Sequence, residues 1–138
     1  MSINRCPCGF GDSYETCCGP IHGGAKASTA AQVMRARYSA FAVGREDYLL
    51  ASWHPDTRPV DLELEPTMRW VGLEMIGTTG GGMLDRTATV EFMARYREGM
   101  RDGELHEVSR FDKVDGAWLY VEAVEAALGQ VTGHPSGD

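Results

Sequence analysis

Beyond residue 18 the 138-residue sequence contains no cysteine, so no disulfide framework can staple its main body. It also lacks any apolar run of membrane-spanning length, and Met1 to Arg5 leads into the cysteines without the apolar core of a secretory leader. A soluble, cytoplasmic protein is the expectation. Positive charge is scarce as well: the formal net charge is −7 and the isoelectric point about 5.0. That balance opposes general nucleic-acid binding, which needs a basic footprint to neutralise phosphates. No phosphate loop, dinucleotide fingerprint or Ser-His-Asp order is present. What remains is ordinary globular material, 43% hydrophobic and 24% charged, enough for one domain with a small appendage.

The appendage is the stretch that holds all four thiols, Cys6, Cys8, Cys17 and Cys18, in the pattern C-x-C-x₈-C-C. In a reducing compartment, clustered thiols are read first as metal ligands, and Zn²⁺ prefers thiolate and imidazole. Adjacent side chains normally diverge, so Cys17 and Cys18 can reach one ion only where the backbone bends, as at a helix start or tight turn. Four thiolates would complete a closed structural site with no position for a catalytic water. A vicinal disulfide, redox-active thiols and loosely used free cysteines are the competing readings. His22 is a conceivable substitute ligand, though an exposed linker histidine is the simpler account.

Gly19 to Gly24 reads as a flexible connector, giving a module over 1–24, a domain over 25–128 and a frayed tail over 129–138. Thr29 and Gln32 form a capping box, Met34, Tyr38 and Phe41 an apolar stripe, and Gly44 a stop, so a helix is expected over 29–43. Arg35 and Arg37 are then solvent-facing. A shorter helix opens at Arg45-Glu46-Asp47 and breaks at the corner Trp53-His54-Pro55. Residues 60–64, between Pro59 and Pro66, suit either a short strand or one helical turn. Strands follow at 70–76, 84–96, 104–114 and 117–124, with hairpin signals at Asp102-Gly103 and Asp115-Gly116. Helices first and an antiparallel sheet second make an α+β fold. A regular register from Asp115-Gly116 places Glu107, Ser109, Phe111, Trp118, Tyr120 and Glu122 on one face. His106, Val108, Arg110 and Leu119 take the other.

Cys6-Pro7-Cys8-Gly9, followed by Cys17-Cys18-Gly19, resembles the SEC-C motif, the zinc-binding module at the tail of a protein-translocation motor. Phe10 stands where that motif often has Ser, and no second cysteine motif follows, as it does in many relatives. Met34-Arg35-Ala36-Arg37-Tyr38-Ser39-Ala40-Phe41, Asp47-Tyr48-Leu49, Trp53-His54-Pro55 and Glu107-Val108-Ser109-Arg110-Phe111 resemble the YchJ-like family of bacterial proteins, over residues 5 to about 124. The resemblance implies an NTF2-like domain, a curved antiparallel sheet folded around helices into a cone. It also implies a protein partner for the zinc module, a small ligand for the cone pocket and a homodimer through the open sheet face. It implies no activity. His54 and Glu107 are the candidates for acid–base chemistry in such a pocket, with Glu122 a possible carboxylate partner for Glu107. Packing accounts for both more simply. Arg110 and Trp70 are the candidate ligand-binding residues, although Arg110 could equally pair with Glu91 or Glu107, and Trp70 could be cone wall. The leading expectation is a non-enzymatic binding or adaptor protein, ahead of a small-molecule enzyme and a thiol redox sensor.

Overall fold

The computed structural model describes residues 5–10, 13–64 and 67–131. A 3-10 turn at Tyr14–Thr16 leads into the short helix α1 (Cys18–His22), then α2 (Ala30–Val43), α3 (Glu46–Ala51) and four strands. Thr29 caps α2 by accepting the Gln32 N–H at 3.1 Å, while Gln32 Oε1 accepts the Ser28 N–H at 2.7 Å. The capping box therefore closes one residue further upstream than its usual form. Gly44 ends the helix in the left-handed conformation, φ 81°, its N–H returning to Ala40 O.

The sheet is an antiparallel meander in the order β1 (Met68–Gly80), β2 (Thr87–Glu98), β3 (Arg101–Val114), β4 (Ala117–Val131). Bulges at Trp70/Gly72 and Met75/Gly77 in the β1–β2 pair, and at Val108/Ser109 and Arg110/Phe111 in the β3–β4 pair, bend it. Its inner face curls over α2. Asp115 and Gly116, both at positive φ, form the expected tight turn with Val114 paired to Ala117. The β2–β3 turn instead falls at Gly99-Met100, with Gly99 at φ 64°. Gly103 stays inside β3 because a Cβ there would overlap the ring of Tyr96 on β2. β1 runs through Thr78-Thr79-Gly80, past its expected end at 76, since the bulge at Met75/Gly77 absorbs the irregularity. Residues 60–64 form neither strand nor helix. β4 reaches Val131, paired along β3, so the expected tail at 129 begins too early; residues 132–138 lie outside the described residues.

The expected flexible connector is also corrected. Gly19, Pro20 and Ile21 are helical, and Cys6, Cys8, Cys18 and Ile21 share one buried cluster with Val33, Met34, Val90 and Phe111. Cys6, Cys8, Cys18 and Ile21 are part of the core. As a result α2 is covered on two sides, by the cysteine segment and α3 on one and by the sheet on the other. This is why Ala36, Arg37, Ser39 and Ala40 are buried as well as the Met34/Tyr38 stripe. No described helix is long and apolar enough to cross a membrane.

Candidate metal centre and cone cavity

Gly9, at φ 80°, completes a turn whose N–H returns to Cys6 O at 3.0 Å and which aims the Phe10 N–H at Cys8 Sγ, 3.4 Å away. Cys17 sits between the 3-10 turn and α1 with φ −112° and ψ −95°, the backbone bend its adjacency to Cys18 demands. The four sulfurs consequently lie within 4.8 Å of one another, and all four cysteines are free of disulfides. Cys8 and Cys17 sulfurs are 3.6 Å apart, those of Cys17 and Cys18 4.0 Å. A tetrahedron with metal–sulfur bonds of about 2.3 Å has edges of about 3.8 Å, so the set can hold one metal ion.

Ser39, fully buried on α2, donates to Cys18 Sγ at 3.3 Å and lies 3.5 Å from Cys6 Sγ. The main helix thus touches the sulfur set directly. The crowding shows in the thiols. A hydrogen bond from Cys18 is the chief cause holding Cys8 below the usual thiol range; its contact with Cys8 and burial push Cys18 well above it. Burial pushes Cys17 up to about 12. Four thiolates can coexist here only with a cation among them, and without one Cys17 and Cys18 keep their protons.

His22 is neither a ligand in waiting nor an exposed linker residue. It is buried, its Nε2 2.7 Å from Ala36 O and its Nδ1 2.5 Å from the Tyr14 hydroxyl. Donation from Nε2 and acceptance at Nδ1 satisfy both contacts and occupy both nitrogens. The ring bridges the cysteine segment to α2.

The other face of α2 looks into a cavity of about 130 Å³ beneath the sheet. Its walls are largely aromatic and aliphatic: Trp70 packs edge-on against Tyr38 and Tyr96, and Phe92 and Leu105 rise from the sheet. Two charged residues, Arg37 and Glu107, line it. Arg37 is 3% exposed, donates from Nη1 to Leu49 O at 2.8 Å and Ser52 Oγ at 2.7 Å, and stacks over the rings of Tyr120 and Trp53. Its burial lowers its pKa to about 10, which leaves it protonated at neutral pH. Glu107 accepts the Ser109 hydroxyl and stands beside Tyr120, whose phenol burial raises to about 12.

Among the sequence candidates, Trp70 and Glu107 line the cavity, and His54 and Arg110 do not. His54 Nδ1 accepts the Asp56 N–H at 3.0 Å, while its own N–H pins the corner to Tyr120 O at 2.7 Å. Arg110 is on the opposite sheet face, 3.5 Å from Asp112 and 3.6 Å from Glu122. Glu91, an expected partner, pairs with His106 at 2.7 Å. The bulge at Arg110/Phe111 inserts Val121 and rotates Glu122 onto the Arg110 face, so Glu122 cannot share a proton with Glu107. Arg37 is the residue that sequence reasoning placed wrongly. Its spacing from Met34 and Phe41, i+3 and i−4, already set it in the buried stripe.

The family model described as YchJ, middle NTF2-like domain, matches residues 29–123, the span from the α2 cap into the first half of β4. The chain belongs to the YchJ-like family. A UPF0225 protein of Streptomyces coelicolor is 54% identical over 123 residues, covering 88% of this chain and 96% of that protein. Another, from Chromobacterium violaceum, is 45% identical over 126 residues, covering 88% and 93%. The solution structure of a SEC-C motif containing protein from Rhodopseudomonas palustris superposes with a TM-score of 0.75 at 31% identity. The match covers 88% of this YchJ-like chain and 97% of the other. The crystal structure of a SEC-C motif containing protein from Psychrobacter arcticus gives 0.73 at 27% identity, covering 88% and 82%. The NTF2-like α+β architecture follows from both the match and the observed sheet.

Proposed function

We propose that this is a Zn²⁺-stabilised, non-enzymatic binding protein of the cytoplasm, in which a structural thiolate centre locks the N-terminal segment onto a ligand-binding NTF2-like cone. The observation that carries the reading is the closed set of four sulfurs seated on Ser39 of α2. An all-thiolate set of this size selects Zn²⁺ among common cellular divalent ions, and the ion supplies charge neutralisation and cross-linking. The likeness to proteins described as SEC-C motif containing supports the same assignment. With all four positions filled by sulfur, chemistry at the metal has no vacant site, which favours a structural role.

A protein partner would meet the metal segment at Phe10, 54% exposed and overlaid by the Arg35 guanidinium at 4.8 Å, an aromatic and cationic pair of the kind enriched at interfaces. An enzymatic alternative keeps Glu107 alone as an acid–base group, because His54 is occupied with its own turn.

Metal analysis of protein purified without chelator is the direct test. One equivalent of zinc per chain is expected. Metal well below one equivalent, unchanged after incubation with zinc under reducing conditions, would overturn the structural centre.

A further inference from the structure

Among the described residues Arg37 is the cation that lines the cavity. A guanidinium carries five N–H donors in a rigid fork. Both hydrogen bonds that Arg37 makes, to Leu49 O and Ser52 Oγ, leave from Nη1. Among the described residues no acceptor takes the Nε and Nη2 edge, and no carboxylate forms an ion pair with this side chain. That edge presents the two parallel donors that a carboxylate meets in bidentate fashion. The Glu107 carboxylate of the same cavity attracts Arg37 without reaching ion-pair distance, and stacking on Trp53 and Tyr120 stabilises the cation further; what the guanidinium lacks is a direct acceptor on its second edge. Glu107 lines the same cavity but already accepts the Ser109 hydroxyl.

Size narrows the choice. An engineered apolar cavity of about 150 Å³ takes a benzene molecule. The 130 Å³ here, walled by Trp70, Phe92 and Leu105, therefore suits a body of one planar ring. We propose that the cone cavity binds a small planar monocarboxylate, its carboxylate on the Nε/Nη2 edge of Arg37 and its apolar body against Trp70 and Phe92. This rests on the binding-protein reading and goes beyond it by fixing the ligand's charge and size.

The test uses the zinc-loaded full chain with three probes of equal size and different charge: benzoate, neutral benzamide and cationic benzylamine. Binding is followed by calorimetry and by tryptophan fluorescence, since Trp53 and Trp70 both line the cavity. Benzoate should bind at least tenfold more tightly than either other probe. Arg37→Lys, which keeps the charge but loses the fork, should weaken benzoate at least tenfold. Leu105→Phe, which fills the cavity from the sheet side and leaves Arg37 untouched, should abolish binding, and its unchanged zinc content and circular dichroism would show that it folds. Benzamide or benzylamine binding as tightly as benzoate would overturn the ligand class and leave a binding cone intact. Failure of all three probes would overturn the cavity site itself, independently of the zinc measurement. Benzoate binding undiminished in both variants would place it elsewhere on the protein and overturn the proposal equally.

Discussion

Ser39 decides how tightly the sulfur set is tied to the helix. Its hydroxyl donates to Cys18 Sγ, a bond to a group that becomes a thiolate when metal binds. Ser39→Ala removes that donor while leaving all four ligands, and zinc affinity should fall about 10-fold or more by chelator competition. The thiol environments also fix the sign of the pH dependence. Cys17 and Cys18 are held above the usual range, so they carry protons until the metal displaces them. Binding therefore releases protons, and apparent zinc affinity should rise steeply as pH increases and collapse as it falls. A pH-independent affinity between pH 6 and 8 would contradict this. The clustering of the four sulfurs was legible in the sequence because their spacing is local. Arg37 was missed although its spacing from Met34 and Phe41 puts it in the same stripe, because its charge alone suggests solvent while hydrogen bonds to Leu49 O and Ser52 Oγ and stacking on Trp53 and Tyr120 hold it inside.

At the scale of elements, close packing between strands governs what the sequence showed and hid. Asp115-Gly116 was readable as a turn because both residues tolerate positive φ, and the turn set the pairing of Val114 with Ala117. Asp102-Gly103 carries the same letters and is strand, because Gly103 is required by the ring of Tyr96 across the pair. Gly103→Ala should accordingly destabilise the sheet by about 1–3 kcal/mol, the usual cost of overpacking, measured by denaturant unfolding. The β3–β4 bulge at Val121 was equally invisible, since an inserted residue leaves the alternation on either side intact and only reverses its phase. That reversal separates Glu122 from Glu107. The α2 cap is the local counterexample: Thr29→Ala removes the acceptor of the Gln32 N–H and should cost about 1 kcal/mol.

For the molecule as a whole, the cysteine segment and the cone pack on two faces of one helix, α2. Ser39 meets sulfur while Arg37, Tyr38 and Phe41 line the cavity, so both sides rest on α2. The sequence, read through its glycines at 19, 23 and 24, pointed to a tethered module; helix α1 and the His22 bridge from Tyr14 to Ala36 join the two instead. A tethered module and a shared core predict different responses to metal removal. Chelation of a tethered module would leave the cone as it was. In a shared core, losing the cross-link exposes the buried surface of Cys6, Cys8, Cys18 and Ile21 and removes one wall from α2. Hydrogen exchange after chelation under reducing conditions should therefore show protection lost through α2 as well as residues 5–24. β2, paired along its full length with residues 101–112 of β3, should keep most of its protection, as should β3. Loss confined to the first 24 residues would restore the tethered module and detach the metal from the cavity it backs.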